Sequence, residues 1–184
     1  MTTIVGISGS LRQGSFNTSL LRAAAALAPE GVTIEIASIR DIPLYDGDLE
    51  AQSGVPAPVT RLQDRIAAAQ GLLIATPEYN GSIPGVLKNA IDWLSRPPRE
   101  IARVFGDRAV AVMGATPGRA GTILSQAAWL PVLRHLNARP FFGARLMVSN
   151  AGSVFDGEGA LVDESTKKQL VSFLEGFVAF SRAR

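Results

Sequence analysis

The chain has 184 residues, which is long enough to bury a hydrophobic core without disulfide bonds. Hydrophobic residues make up 47% and charged residues 18%, which excludes wholesale disorder. The net charge is only +2, there is no cysteine and there is one histidine, so we expect no nucleic-acid partner, no thiolate chemistry and no metal centre.

Short apolar runs alternate with amphipathic helical segments along the whole chain. In chain order, the predicted elements are a strand over 4–7, a helix over 18–27, a strand over 32–39, a loop over 41–58, a helix over 59–69, a strand over 71–76, a helix over 84–94, a strand over 108–114, a helix over 123–136, a fifth strand within 141–148 and a helix over 165–180. Pro131 is expected to end or kink the helix in which it lies.

Strands that are apolar on both faces, with helices between them, indicate a parallel sheet covered on both sides. We find no linker or repeat, so the prediction is one α/β domain over residues 1–184. No basic leader and no apolar run of about 20 residues is present. We therefore expect a cytoplasmic protein with no membrane partner.

A serine-rich turn follows the first strand. Ser8, Ser10, Ser15, Asn17 and Thr18 supply hydroxyl and amide groups there, and Arg12 supplies a positive charge. The turn precedes a helix, whose first N–H groups and positive dipole end suit a phosphate group. The alternative is a capped helix start with Ser15 or Asn17 as the N-cap, which explains only one of these residues.

Three known motifs can be tested at this turn, and none matches. The Rossmann G-x-G-x-x-G is absent, because Gly6 is followed by Ile7, Ser8 and Gly9. The P-loop lysine is replaced by Ser15, and the nucleophile elbow has Ser10 in place of its last glycine. What remains is a hydroxyl-lined site for a phosphate.

A second polar segment follows the third predicted strand. Asn80-Gly81 is a strong turn signal that can hold positive φ angles and expose successive N–H groups. Tyr79 lies beside it and could border a flat heterocycle. The alternative is an ordinary loop that leads into a helix.

Together the two segments resemble one family. The matching residues are Gly9-Ser10-x-Arg12-x-x-Ser15-x-Asn17, Pro77-Glu78-Tyr79-Asn80-Gly81-Ser82 and Leu87-Lys88-Asn89-Ala90-Ile91-Asp92-Trp93. This combination resembles the NAD(P)H-dependent FMN reductases, most of all the bacterial chromate and quinone reductase branch. The resemblance implies a flavodoxin-like three-layer sandwich with a five-stranded parallel sheet in the order 2-1-3-4-5.

The resemblance also implies roles for the matching residues. The phosphate of FMN would be held by Ser10, Arg12, Ser15 and Asn17, with Phe16 and Thr18 beside them. The isoalloxazine ring would be bordered by Pro77, Glu78, Tyr79, Asn80, Gly81 and Ser82. No side chain is expected to act as a catalyst, because the flavin would perform the chemistry.

A third, glycine-rich loop follows the fourth predicted strand. Relatives contact the pyrimidine edge of FMN from this loop, which implies contacts from Thr116, Gly118 and Arg119. The chain departs from the family here, because Pro117 has no N–H to donate. His135, Trp129 and the acidic residues between 156 and 164 are expected to be structural or solvated.

The predicted function is oxidation of NADPH or NADH by bound FMN, followed by reduction of a quinone, a flavin, an azo dye or chromate. Two alternatives remain: a flavodoxin-type electron carrier without direct NAD(P)H oxidation, and a flavin-free hydrolase or phosphate-binding regulator. The resemblance further implies a homodimer or homotetramer, with Lys88, Asn89, Asp92 and Trp93 fixing their helix and lining a subunit interface.

Overall fold

A computed structural model describes residues 1–183, which form six strands and eight helices. The strands are β1 (Thr2–Ser8), β2 (Val32–Ala37), β3 (Gly71–Ala75), β4 (Ala109–Ala115), β5 (Arg139–Pro140) and β6 (Leu146–Val148). The helices are α1 (Phe16–Ala26), α2 (Gly47–Ser53), α3 (Ala57–Ala68), α4 (Gly85–Leu94), α5 (Glu100–Val104), α6 (Ile123–His135), α7 (Ala151–Val154) and α8 (Glu164–Arg182).

The strands form one parallel sheet in the order β2-β1-β3-β4-β5, with β6 also paired to β4. This flavodoxin-like order is the predicted one. The chain reverses its direction of winding between β1 and β3, where Val5 lies opposite Leu72. In open parallel sheets, ligands bind at the carboxyl ends of the strands beside such a reversal.

Two hydrophobic cores cover the two faces of the sheet, because alternate strand residues point to opposite faces. One core contains Leu72 and Ile74 of β3 together with apolar residues of α3, α4, α5 and α6. The other contains Leu73 and Ala75 with residues of α1, α7 and α8. All five residues of β3 are buried, as its continuous apolar run predicts.

The predicted fifth strand within 141–148 is confirmed only in part: β6 lies inside this range but covers its last three residues, and another short strand, β5, precedes it. β5 ends at Pro140, and β6 begins at Leu146. Between them the ring of Phe141 turns to α8, where its centroid lies 5.7 Å from that of Phe173. Proline and glycine are poor strand residues, and Pro140 and Gly143 fall at this interruption.

The loop predicted over 41–58 is also wrong, because it contains α2. Asp46 caps this helix by accepting a hydrogen bond from the N–H of Asp48 at 2.9 Å, and Gly54 follows its end with a φ of 74°. No residue of α2 is buried, so the helix has no apolar stripe to reveal it in the sequence. The short helices α5 and α7 were not predicted either.

Pro131 does not end α6, which continues to His135. The proline is exposed, so the carbonyl group that loses its N–H partner can face solvent. Trp129 and Leu133 on either side are fully buried, and their packing holds the helix in place.

Candidate functional site

A cavity of about 520 Å³ lies at the carboxyl ends of β1, β3 and β4, beside the reversal of winding. Its walls come from the segments that follow these three strands. The lining residues are Ser10, Arg12, Ser15, Phe16, Asn17, Pro77, Glu78, Tyr79, Ala115, Thr116 and Pro117. Nine of the fifteen residues predicted to bind FMN are among them, and the segments around 12, 78 and 116 meet as expected from parallel strands.

The turn after β1 presents donor groups at the start of α1. Ser15 is the N-cap, and its hydroxyl accepts a hydrogen bond from the N–H of Thr18 at 3.5 Å. Within residues 1–183, the N–H groups of Phe16 and Asn17 have no acceptor. Arg12 is exposed, lies 5.7 Å from the ring centroid of Phe16 and has no carboxylate partner in the described part of the chain. This arrangement can accept a dianion.

Asn17 and Thr18 use their side chains within the protein. The Asn17 amide donates to the carbonyl oxygen of Ala115 at 2.8 Å and accepts from the Ala115 N–H at 2.9 Å. The Thr18 hydroxyl lies 2.9 Å from that of Ser8. Asn17 therefore joins α1 to the end of β4. Thr18 does not line the cavity, and its contact with Ser8 holds the start of α1 against the end of β1.

The turn after β3 has the geometry that its sequence predicts. Asn80 and Gly81 have φ angles of 51° and 70°, and Tyr79 and Ser82 exchange two backbone hydrogen bonds of 3.1 Å. Two successive positive φ angles are typical of a type I′ turn. The N–H groups of Asn80 and Gly81 have no acceptor among residues 1–183. These residues and Ser82 lie next to the cavity wall and are not part of it.

Glu78 has a partner that the sequence does not reveal. One oxygen of its carboxylate accepts hydrogen bonds from the N–H groups of Leu124 and Ser125, at 2.8 and 3.1 Å. These N–H groups belong to the first turn of α6, whose N-cap residue Thr122 makes no side-chain cap. The negative charge of Glu78 thus faces the positive end of a helix.

The loop after β4 contributes Thr116 to the cavity, and its other predicted residues lie outside. The N–H of Thr116 bonds to the carbonyl oxygen of Val148 at 2.9 Å, and the N–H of Gly118 lies 3.3 Å from the Thr116 hydroxyl. Gly118 and Arg119 are exposed. Pro117 lines the wall, where a residue without an N–H can supply contact but no hydrogen bond.

Four contributors were missed by sequence reasoning. Ala115 lines the cavity at the end of β4, where only its place in a strand could have indicated it. Arg40, in the segment after β2, donates to the carbonyl oxygen of Leu11 and so holds the turn after β1 from outside. Ser125 and Thr76 form a buried hydroxyl pair 2.8 Å apart beneath the cavity, where Trp129 donates to Thr76 at 3.3 Å.

The chemistry of these groups fits FMN. Hydroxyl groups, unpartnered N–H groups and one guanidinium face the end of the cavity at α1, where they match a terminal phosphate. A half-exposed tyrosine ring lines the cavity, and the two N–H groups of Asn80 and Gly81 follow it in the chain, which suits the face and polar edge of a flavin ring. The volume of about 520 Å³ lies within the usual range for a ligand pocket.

The described residues, 1–183, contain no group of three or more histidine or acidic side chains that could hold a metal ion. Over the same range, no helix is long and apolar enough to cross a membrane.

The fold defines a flavodoxin-like protein, and its cavity is suited to a mononucleotide. Its sequence is 42% identical over 179 residues to an NAD(P)H-dependent FMN reductase of Pseudomonas aeruginosa, covering 97% of this chain and 95% of that one. It is 38% identical over 181 residues to a 2-hydroxy-1,4-benzoquinone reductase of a Burkholderia species, covering 98% and 97%. The flavoenzyme NAD(P)H:(acceptor) oxidoreductase FerB of Paracoccus denitrificans has a similar structure, with a TM-score of 0.87, 34% identity and coverage of 98% and 97%.

A model of the NADPH-dependent FMN reductase family matches residues 2–153, and the chain belongs to this family. It is an oxidoreductase that uses FMN and NAD(P)H. The predicted family, activity and cofactors are confirmed, and the electron-carrier alternative is not favoured.

Proposed function

We propose that FMN binds in this cavity with its phosphate at the turn after β1 and its ring at the turn after β3. Ser10, Arg12 and Ser15 would hold the phosphate together with the N–H groups of Phe16 and Asn17. The observation that carries this proposal is the set of unpartnered donors around Arg12 at the first turn of α1. We expect Thr18 and the Asn17 side chain to support these groups.

The same proposal assigns the ring end of the cavity. Pro77 and Tyr79 would border the ring, and the N–H groups of Asn80 and Gly81 would face its polar edge, with Ser82 closing the turn. Thr116 would contact the pyrimidine side. Gly118 and Arg119 are exposed and lie outside the cavity lining, so we propose for them at most a contact with the outer part of FMN.

FMN, when bound, supplies the redox chemistry: it takes a hydride from NAD(P)H and passes electrons to an acceptor. The chain's own task is to bind and orient the two molecules. The N–H groups of Asn80 and Gly81 stabilise negative charge at the ring edge, because they are fixed before the reaction. No acid or base from a side chain is required, and the carboxylate of Glu78 is already occupied by α6.

We further propose that reductant and acceptor use one open side of the cavity in turn, in a ping-pong sequence. The half-exposed ring of Tyr79 leaves this side accessible. Quinones are the preferred acceptor class, since a relative 38% identical is a benzoquinone reductase. Free flavin, azo dyes and chromate remain candidates. We propose that the protein acts in the cytoplasm. We also propose that each chain forms one FMN-binding domain.

We also propose that the chain forms a homodimer or homotetramer. Helix α6 has apolar residues on its outer side: Leu124 and Leu130 are 54% and 45% exposed. Phe142 nearby is 69% exposed. A second copy of the chain would cover such a surface. Lys88 and Asp92 form an ion pair of 2.7 Å on α4, which supports their expected role in fixing this helix.

Anaerobic mixing tests the proposed function. The purified protein is loaded with FMN and mixed with NADPH or NADH while its visible absorbance is followed. We expect rapid loss of the flavin absorbance, and recovery on a second mixing with a benzoquinone. Parallel lines in double-reciprocal plots would support the ping-pong sequence. A flavin that NAD(P)H does not bleach would contradict the proposal.

A further inference from the structure

We infer that Glu78 is a positioning residue, which fixes the Asn80–Gly81 turn by fastening it to the start of α6. This role rests on the FMN site proposed above. The carboxylate of Glu78 accepts from the N–H groups of Leu124 and Ser125, and α6 has no other side-chain cap. The hydroxyl of Thr122 is instead the acceptor for the side chain of Gln126 at 3.1 Å.

The turn has few other polar contacts with the rest of the protein. The two hydrogen bonds between Tyr79 and Ser82 lie within the turn itself. The hydroxyl of Tyr79 reaches that of Ser10 only at 3.5 Å, the outer limit of a hydrogen bond. Among the described residues, the side chains of Asn80 and Ser82 have no hydrogen-bond partner. The two bonds of Glu78 are therefore the main polar link between this turn and the sheet layers.

An apolar contact lies beside this link. A methyl group of Leu124 lies 3.4 Å from the place where a Cβ on Gly81 would stand. The N–H of Leu124 is one of the two groups that Glu78 binds, so the carboxylate fixes both sides of the contact. The buried hydroxyl groups of Thr76 and Ser125, 2.8 Å apart, hold the start of α6 against the end of β3. Glu78 then holds the Asn80–Gly81 turn against the same end of α6.

Fixing the turn matters because a ligand binds more tightly to groups that are already ordered. Without Glu78, the N–H groups of Asn80 and Gly81 must be ordered when the ring arrives, and the affinity for FMN falls. A purely structural cap would instead lower the stability of the protein and leave this affinity unchanged. The two roles therefore predict different measurements.

The matched control is Asp163, a carboxylate that caps a helix away from the cavity. Its side chain accepts from the N–H of Thr166 at 2.7 Å at the start of α8. We expect Glu78→Ala to raise the dissociation constant for FMN about tenfold, which is the order of the cost of fixing the backbone of one residue of the turn on binding. Glu78→Gln keeps an acceptor oxygen and loses the charge, so we expect a rise of about threefold. Asp163→Ala should lower the melting temperature and leave the dissociation constant unchanged.

Quenching of FMN fluorescence measures the dissociation constants, and the visible spectrum of the bound flavin supplies a second readout. With Glu78→Ala the spectrum should move towards that of free FMN, and Glu78→Gln should restore it. If Glu78→Ala does not fold, the dissociation constants for FMN of Glu78→Gln and Asp163→Asn are compared instead. Wild-type affinity in the Glu78 variants, or an equal loss in the Asp163 variants, overturns the role. A wild-type protein that binds no FMN overturns the proposed site itself, before any variant is compared.

Discussion

Among the residues that line the cavity, Arg12 is the one with a positively charged side chain. Its guanidinium lies over the ring of Phe16 and makes no ion pair within residues 1–183. An exposed arginine usually has little effect on stability, because water screens its charge. Its value here lies in binding, since a phosphate at the start of α1 would be its first fixed partner.

Replacing Arg12 with alanine tests this assignment. We expect the binding free energy of FMN to weaken by about 2 kcal/mol, which is the contribution of a charge-assisted contact. Titration calorimetry measures the change. Riboflavin lacks the phosphate, so its affinity should be the same for wild type and variant.

Arg22→Ala is the control for this experiment, because Arg22 is an exposed arginine on the same helix and lies outside the cavity. Equal effects of the two substitutions would show that the overall charge matters, and the phosphate contact would be rejected.

At the scale of elements, the segment that contains α2 is attached to α4 by polar contacts. The N–H of Tyr45 donates to the side chain of Asn89 at 2.8 Å, and the indole of Trp93 donates to the carbonyl oxygen of Pro43 at 2.9 Å. Since α2 buries no residue, these contacts replace the hydrophobic face that usually holds a helix. They also support the expected role of Asn89 and Trp93 in fixing their helix, while their place at a subunit interface stays a prediction.

Glu50 on α2 makes this attachment sensitive to pH. The hydrogen bond from Arg96, at 2.8 Å, holds the pKa of the Glu50 carboxyl below its ordinary value. A carboxyl with a lowered pKa stabilises the folded state at neutral pH, and this contribution is lost as the pH falls through that lowered pKa. We expect Glu50→Gln to be less stable than wild type near neutral pH, and to lose less stability on acidification.

Urea unfolding at a series of pH values measures both effects. Glu35→Gln is the control, because Glu35 and its partner Arg65 are 45% and 40% exposed, against 13% for the side chain of Glu50. A pair so exposed contributes little. The interpretation fails if the two variants show the same dependence on pH.

At the scale of the whole molecule, FMN should stabilise the protein by mass action, since only the folded chain forms the cavity. With FMN at about 100 times its dissociation constant, the gain is about 2.7 kcal/mol, or about 5 to 10 °C in melting temperature for a chain of this size. A thermal scan over a series of FMN concentrations measures the shift. No shift in the wild type, or a full shift in Arg12→Ala at the same concentration, would contradict the proposed site.

The central sheet could be predicted from sequence because its strands are apolar on both faces and lie between helices. The type of turn at Asn80 and Gly81 was also predictable, since few residue pairs hold two positive φ angles. Helix α2 was missed because it has no buried face, although Asp46 and Gly54 supply both of its end signals. The extent of the fifth strand could not be predicted, because an apolar run does not show that the ring of Phe141 packs against α8 between two short strands.

The partners of the site residues could not be predicted from sequence. Glu78 bonds to N–H groups 46 and 47 positions further along the chain. Backbone groups carry no residue-specific signal, so no motif reveals such a pair. The motifs indicated which segments meet, and the structure shows which side chains already form hydrogen bonds within the protein.

The double hydrogen bond between Asn17 and Ala115 has a consequence for engineering. It ties the first turn of α1, where we propose that the phosphate binds, to Ala115, the last residue of β4, which lies 98 positions away. Residues 118–120 are exposed, lie beyond Ala115 and do not line the cavity. We therefore expect substitutions among these three residues to change which oxidants are accepted while the affinity for FMN changes little.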